Sequence, residues 1–204
     1  MRIHHIFHDG FCILMQNCTL IFDWYTGTLP EIPKDLPVYV LVTHGHNDHY
    51  GACIWELQKS CDQVIYILDE TVGTARVPEG VKVHWVRENE KYEIEGLSLE
   101  TLHSTDLGSA FYVEIEGKTI FHAGDLNIWY WYDEPEEENL ASEAACTHEF
   151  QKLAGRQIDV AFLALDPRLK EEAPRGIEAF CKYASAKQLV PMHYESDLSL
   201  AKAY

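Results

Sequence analysis

Basic residues are scarce in this 204-residue sequence. There are 16 of them against 33 acidic residues, which gives a formal net charge of −17. A general nucleic-acid binder needs a basic surface to displace counterions from phosphates, so this charge argues against that class. No apolar run approaches the length of a membrane span, and the opening residues MRIHHIFHDG hold no apolar core of signal-peptide length. We therefore expect a cytoplasmic protein that binds neither nucleic acid nor membranes.

Paired cysteines, repeats and flexible linkers are also missing. The six cysteines are scattered without a CxxC pair, and without a secretion signal they are expected to be reduced, mostly buried thiols. No Gly/Ser-rich linker or internal repeat divides the chain. With 47% hydrophobic residues, the sequence predicts a single globular domain over residues 1–204.

Two sets of short strands are predicted, each followed by helical segments. Runs such as TLIFDW and VYVLVTH in the first half, and KTIFHAG and QLVPMH in the second, are typical of strands. Helices are predicted for ACIWELQKS, for ASEAACTHEFQKLAG with a cap at Gly155, and for PRGIEAFCKYASA. This order predicts an α/β (α+β) protein whose mixed sheets are covered by helices.

The segment HGHNDH, residues 44–49, concentrates metal-type ligands directly after a predicted buried strand. His44 and His46 are two residues apart, so extended backbone points both side chains the same way. Asp48 and His49 are adjacent, and a tight turn must separate them. Imidazole and carboxylate together suit borderline ions such as Zn²⁺ better than Ca²⁺ or Mg²⁺, which prefer oxygen ligands.

Three further candidate ligands follow predicted strands far along the chain. His103 ends LSLETLH, Asp125 follows KTIFHAG, and His193 ends QLVPMH. Each lies where a strand passes into a loop, the position at which such folds gather functional residues.

This ordered set, HxHxDH, then a histidine after a strand, then GD, then PMH, resembles the metallo-β-lactamase-fold hydrolase superfamily. The resemblance spans the chain from LIFDW to PMHY and implies a four-layer αββα sandwich. It also implies that His44, His46 and His103 bind one metal, that Asp48, His49 and His193 bind another, and that Asp125 bridges the two.

Two other residues, Asp23 and His8, match positions near the metals in this superfamily, and a third candidate, His122, lies three residues before Asp125. Asp23, in LIFDW, is expected to orient a ligand by hydrogen bonding, or else to be a strand-ending turn residue. His8, in FHDGF, is expected to approach the metals or substrate, or to be an ordinary turn residue. His122 either faces the site or packs beneath it. His4, His5, His84 and His148 have no partner spacing and are expected on the surface or in the core.

The resemblance implies two divalent ions, with zinc favoured over iron or manganese. A hydroxide shared by two such ions attacks an ester, lactone or phosphodiester, and Asp48 holds the proton and passes it to the leaving group. The third motif lacks the TPGHTxG pattern of thiolesterases. PMHY and HDGFCI are more similar to a branch of lactonases and phosphodiesterases that includes ascorbate-phosphate-lactonase-like proteins.

Alternatives to a small-molecule hydrolase are a non-catalytic metal-binding sensor or scaffold, and an RNA-processing nuclease of the same fold. The open ligand set argues against the first, and the acidic charge against the second. We expect a small, anionic substrate and allow for a homo-oligomer. In the loop 127–138, the aromatics are predicted either to form a substrate wall or to anchor the loop, and the acids to be solvated.

Overall fold

The computed structural model describes residues 1–194, which build two six-stranded sheets. The first sheet follows chain order, with β1 (Arg2–Phe7), β2 (Gly10–Leu14), β3 (Thr19–Phe22), β4 (Val38–Val42), β5 (Val64–Asp69) and β6 (Val83–Val86). The β1–β2 and β2–β3 pairs are antiparallel, and β3 to β6 are parallel.

The second sheet has the order β12-β11-β10-β9-β8-β7. Its strands are β7 (Lys91–Ile94), β8 (Leu97–His103), β9 (Ser109–Ile115), β10 (Lys118–His122), β11 (Gln157–Ala164) and β12 (Ser185–Met192). The strands β7 to β10 are antiparallel, and β10, β11 and β12 are parallel. Pro191 lies in the edge strand β12, where a missing N–H is tolerated.

The inner faces of the two sheets share one apolar core. Phe11 and Phe22 from the first sheet pack against Phe162 from β11, with ring centroids 4.3 and 6.5 Å apart. All three rings are fully buried. Burying a side chain of this size stabilises the folded state by about 1.5–3 kcal/mol, so these contacts hold the sheets face to face.

Helices cover the outer faces. The long helices are α1 (Glu136–Gln151) and α2 (Arg175–Tyr183), and four 3₁₀ helices span Ala52–Lys59, Glu70–Val72, Thr74–Arg76 and Pro167–Glu172. The helix predicted in ACIWELQKS is therefore a 3₁₀ helix. Helix α1 begins five residues before the predicted segment, because Glu136, Glu137 and Glu138 form its first turn, where negative charge stabilises the N-terminus. The predicted αββα arrangement is confirmed.

The parallel strands of both sheets bring their carboxyl ends to one edge of the sandwich. Thr43 follows β4, Asp125 comes soon after β10, and His193 follows β12. Polar residues at such strand ends commonly form the binding site of α/β proteins. No helix of residues 1–194 is long and apolar enough to cross a membrane.

Candidate metal centre

Asp125 lies at the centre of a cluster of imidazoles at this edge. Its Oδ1 is 3.2 Å from Nε2 of His49 and 3.4 Å from Nδ1 of His193, and its Oδ2 is 3.4 Å from Nε2 of His44. All four residues are buried. Each carboxylate oxygen therefore faces at least one imidazole, and the rings of His44 and His49 are themselves only 3.9 Å apart.

A relay of hydrogen bonds fixes the rings of His44 and His49. Asp23 Oδ2 accepts from Thr43 Oγ1 at 2.6 Å and from His49 Nδ1 at 2.9 Å, while its Oδ1 accepts from the Thr43 amide at 2.8 Å. Because the Thr43 hydroxyl donates to Asp23, it accepts from His44 Nδ1, 3.2 Å away. Both rings thus carry their Nδ1 proton towards the relay and turn Nε2 towards Asp125. The structure places Asp23 beneath two predicted ligands.

Two glycines let the backbone of this segment pack closely. A Cβ on Gly45 would lie 2.4 Å from the carbonyl oxygen of Thr71. A Cβ on Gly108, which has a φ of +69°, would lie 2.3 Å from the carbonyl oxygen of Thr43 and 2.5 Å from Cβ of His44. That carbonyl also accepts from the Ser109 amide at 3.0 Å. The β8–β9 turn therefore supports the segment that carries His44.

His193 is held by a second buried carboxylate, Asp9, which sequence reasoning missed. Its Nδ1 lies 3.2 Å from Asp9 Oδ2. Burial lowers the pKa of His193, but Asp9 and Asp125 outweigh burial and raise it to about 9. Burial likewise opposes the charge on Asp9, yet His193 lowers the pKa of that carboxyl to about 2.

His44 and His49 are shifted in opposite directions. Burial and the neighbouring charge of His49 lower the pKa of His44 to about 4. Burial opposes protonation of His49 as well, but the carboxylates of Asp125 and Asp23 raise its pKa well above the usual value. Burial raises the pKa of Asp125, and the three imidazoles overcome that effect and lower it. The raised pKa values of His49 and His193 and the lowered pKa values of Asp9 and Asp125 share one cause, the close pairing of buried imidazoles with buried carboxylates.

His8 packs at the back of the cluster, in the turn between β1 and β2. Its ring lies 4.1 Å from that of His193, and its Nε2 is 3.9 Å from Asp48 Oδ2. Neither of its ring nitrogens has a hydrogen-bond partner among residues 1–194. Burial, only partly offset by Asp9, lowers its pKa.

His46, Asp48 and Asp106 form the solvent-facing rim. His46 Nδ1 is 3.1 Å from His44 Nε2 and 3.7 Å from Asp106 Oδ2. The ligand atoms of His44, His46 and Asp48 lie within 4.8 Å of one another, as do those of His46, Asp106 and Asp125. Asp48 therefore groups with His44 and His46 in the structure, whereas the resemblance grouped it with His49 and His193.

His103 is the predicted ligand that the structure does not bring to the cluster. Its ring nitrogen contacts the carboxylate of Glu88, and its side chain is about half exposed in a neighbouring hollow that also reaches Asp106. The role of His103 as a ligand stays a prediction.

His122 packs beneath the cluster. Its ring stacks on Phe22 at 4.9 Å, its Nε2 donates to the Asp9 carbonyl oxygen at 2.9 Å, and its Nδ1 accepts from the Gly124 amide. Both ring nitrogens are thus used for holding the turns that carry Asp9 and Asp125.

A hollow of about 430 Å³ opens beside these residues. It is lined by His46, Asp48, Thr105, Asp106, Asp125, Trp129, Trp131, Arg168 and His193. Asp106, Asp166 and Arg168, like Asp9, were not predicted. The sequence signal for Asp9 and Asp166 was weak, because each is a single acidic residue. Asp9 lies in the turn between β1 and β2, and Asp166 lies shortly after the end of β11.

The donor set fits divalent metal ions. The buried Nε2 of His49 and Oδ1 of Asp125 face each other at 3.2 Å, yet within residues 1–194 neither forms a hydrogen bond of good geometry, and Asp9 Oδ1 has no partner there either. Buried polar atoms rarely lack partners. Imidazole nitrogens mixed with carboxylate oxygens favour zinc-like ions over calcium or magnesium.

Known relatives share nearly the whole chain. The protein is 24% identical over 214 residues to a UPF0173 metal-dependent hydrolase of Desulforamulus reducens, covering 96% of this chain and 85% of the relative. It is 28% identical over 211 residues to a UPF0173 metal-dependent hydrolase of Nanoarchaeum equitans, with the same two coverages. No family model matches the chain.

Solved structures share the fold. A protein of Parabacteroides distasonis described as a metal-dependent hydrolase superposes with a TM-score of 0.66, at 19% identity, covering 98% of this chain and 84% of its own. A Thermotoga maritima protein described as a zinc-dependent hydrolase of the metallo-β-lactamase superfamily superposes with a TM-score of 0.52 at 16% identity, covering 96% of this chain and 76% of its own.

The fold alone does not fix the metal or the reaction. CmlA, a diiron β-hydroxylase from Streptomyces venezuelae, superposes with a TM-score of 0.56 at 11% identity, covering 94% of this chain and 44% of its own. The chemistry therefore depends on the residues of the site. The chain is similar over nearly its whole length to UPF0173 metal-dependent hydrolases and has the metallo-β-lactamase fold.

Proposed function

We propose that this protein is a metal-dependent hydrolase that holds two divalent ions and cleaves a small ester, lactone or phosphodiester. The observation that carries the proposal is the position of Asp125. One of its oxygens faces His44 and the other faces both His49 and His193, at 3.2–3.4 Å. The relatives described as metal-dependent hydrolases, which this chain matches over 96% of its length, support the same activity.

The residues divide into two ligand sets around this carboxylate. His44 and His46 would hold one ion, and His49 and His193 the other, with Asp48 and Asp106 as further oxygen donors at the rim. Zinc suits these donors best, and iron or manganese are the alternatives. When bound, such ions lower the pKa of water towards neutrality and stabilise negative charge on a substrate oxygen.

The chain's own residues orient the metal ligands and transfer the proton of the attacking water. Asp23 accepts a hydrogen bond from Nδ1 of His49 and leaves its Nε2 towards Asp125, as carboxylates behind metal-bound histidines commonly do. Asp9 holds His193 through Nδ1, the same atom that faces Asp125. Asp48 is about half exposed at the mouth of the hollow. We assign it the task of accepting the proton of the attacking water and passing it to the leaving group.

The open hollow favours catalysis over a purely structural or sensing role. A structural zinc site is closed by four protein ligands, whereas here His46, Asp48 and Asp125 line an open space of about 430 Å³. That volume lies in the range of small-molecule sites. The acidic rim and the net charge of −17 disfavour a nucleic-acid backbone as substrate.

The test combines metal analysis with an activity panel. Purified protein is expected to carry close to two zinc ions, and the loaded protein to cleave at least one of phenyl acetate, a γ-lactone and bis(4-nitrophenyl) phosphate. His46→Ala should lower kcat/KM by more than about 100-fold, because it removes a ligand at the open face. The control is His148→Ala, at an exposed position on α1.

Two results would contradict the proposal. Normal turnover by the His46→Ala protein would remove the site from the reaction. Failure of fully loaded protein to cleave any of the three substrate types would favour a metal-binding protein without hydrolytic activity.

A further inference from the structure

Two tryptophans form a rigid wall of the hollow. Trp129 and Trp131 both line it, with parallel rings whose centroids are 6.1 Å apart. The indole N–H of Trp129 donates to the Asp125 carbonyl oxygen at 3.0 Å. The buried side chain of Asn139 accepts from the Trp131 amide and donates to its carbonyl oxygen, each at 2.9 Å. The wall is therefore set before any substrate arrives.

The alternate aromatics of the same loop serve as anchors. Tyr130 packs under the Arg175 guanidinium at 4.4 Å, and Tyr132 under the Lys170 ammonium at 5.1 Å. The two functions predicted as alternatives for these aromatics are thus divided between alternate residues: the tryptophans line the hollow and the tyrosines fix the loop.

Arg168 brings a positive charge to the tryptophan wall. Within residues 1–194 it is the only arginine or lysine that lines the hollow. Its guanidinium lies 5.4 Å from the Trp131 ring, and its Nε donates to both carboxylate oxygens of Asp166 at 2.8–3.0 Å. Asp166 is itself buried. Stacking and the ion pair together fix the direction of this flexible side chain.

The same carboxylate connects Arg168 to the metal centre. Asp166 Oδ2 lies 3.7 Å from Nε2 of His193. A guanidinium has five N–H donors in a plane that matches carboxylate and phosphate groups, and it can contact more than one anion. The other charged residues of the rim, Asp48 and Asp106, are acidic and are oxygen donors to the ions in the proposed function. Arg168 is therefore the side chain of the hollow that offers cationic N–H donors to an anionic group.

We propose that Arg168, stacked on Trp131 and braced by Asp166, binds an anionic group of the substrate while the two indoles contact its planar part. The substrates of the hydrolase proposed above, on which this inference rests, are then small planar esters or lactones that carry a carboxylate or phosphate away from the reacting bond.

Two esters with the same reacting group test this assignment. Phenyl acetate and 4-acetoxybenzoate differ only in a remote carboxylate. The zinc-loaded protein should prefer 4-acetoxybenzoate, and Arg168→Gln should reduce that preference by about 10- to 100-fold, mainly through KM, because a hydrogen-bonded ion pair is lost. Arg168→Lys should restore part of it, since it keeps charge but not the planar fork. Arg2→Gln, an exposed position outside the hollow, is the control. An unchanged ratio in Arg168→Gln would overturn the assignment.

Binding without turnover separates this inference from the proposed activity. Quenching of tryptophan fluorescence by 4-hydroxybenzoate and by phenol is measured in the zinc-loaded protein, whether or not either ester is cleaved. Tighter binding of 4-hydroxybenzoate that is lost in Arg168→Gln supports the anion site even if hydrolysis fails. Equal binding of the two probes, or binding of 4-hydroxybenzoate that does not depend on Arg168, would overturn it.

Discussion

Replacing Asp23 by asparagine should weaken metal binding without disrupting the fold. Asp23 accepts three buried hydrogen bonds, from the Thr43 amide, the Thr43 hydroxyl and His49 Nδ1. An asparagine of the same shape keeps its oxygen on the Thr43 amide and places its NH₂ group where Oδ2 stood. All three contacts persist, but the direction of donation is reversed in two of them.

The reversal changes the tautomers of two ligands at once. The new amide N–H donates to His49 Nδ1, so that ring must carry its proton on Nε2. The Thr43 hydroxyl now accepts from asparagine and donates to His44 Nδ1, 3.2 Å away, which moves that proton to Nε2 as well. Both nitrogens that face Asp125 then lack the lone pair that a metal requires.

The expected loss of zinc affinity is about 10- to 100-fold, the range for changes to groups that orient metal ligands. This corresponds to about 1.4–2.7 kcal/mol. The free energy of unfolding of the metal-free protein should fall by only about 1–3 kcal/mol, because charge-assisted hydrogen bonds become neutral ones while none is lost.

Competition for zinc against a chelator measures the affinity, and urea unfolding measures the stability. Thr43→Val is the partial variant: it cuts the relay to His44 and leaves the contact between Asp23 and His49. Glu56→Gln, at an exposed ion pair with Lys59, is the control. Zinc affinity of Asp23→Asn equal to that of Glu56→Gln would refute the tautomer argument.

Two further predictions concern the backbone and the buried charges. Gly108→Ala should unfold at lower urea than Gly117→Ala and should lose zinc. Both glycines have a φ near +70°, a conformation that costs alanine about 1–2 kcal/mol. Only at Gly108 would the added Cβ also collide with neighbouring atoms. Equal urea midpoints for the two variants and normal zinc content in Gly108→Ala would contradict this prediction. In metal-free protein the pKa of His193 is about 9 against 6.5 in the unfolded chain. Its stabilising proton is therefore fully bound below pH 6.5 and is lost as the pH rises through 9. The free energy of unfolding measured in chelator should fall over that interval by up to about 3 kcal/mol. In Asp9→Asn the slope should be smaller, and a flat profile in the unmodified protein would argue against a protonated His193.

The sheets and part of the site were predictable because local patterns encode them. The fully buried strand VYVLV and the segment HGHNDH that follows it need no long-range information. The structure brings His44, Asp125 and His193 together from strand ends that are far apart in sequence, and it confirms the αββα arrangement.

What escaped prediction depends on contacts between distant segments. Asp9 and Asp166 are single acids in a chain rich in acids, and only folding places them beside His193. His103 has the inward parity of strand β8, but its ring pairs with Glu88 from another loop. Sequence periodicity predicts which face of a strand a side chain lies on. It does not predict whether His103, at the end of β8, contacts Asp125 or Glu88.

The position of His193 ties completion of the site to the last described strand. Residues 44–49 leave the ribosome about 150 residues before His193 does. A nascent chain can therefore present His44, His46, His49 and Asp125 before β12 exists, and His193 joins them only when β12 has paired with β11. A chain truncated before β12 should bind zinc more weakly than the full chain and should not hydrolyse substrate.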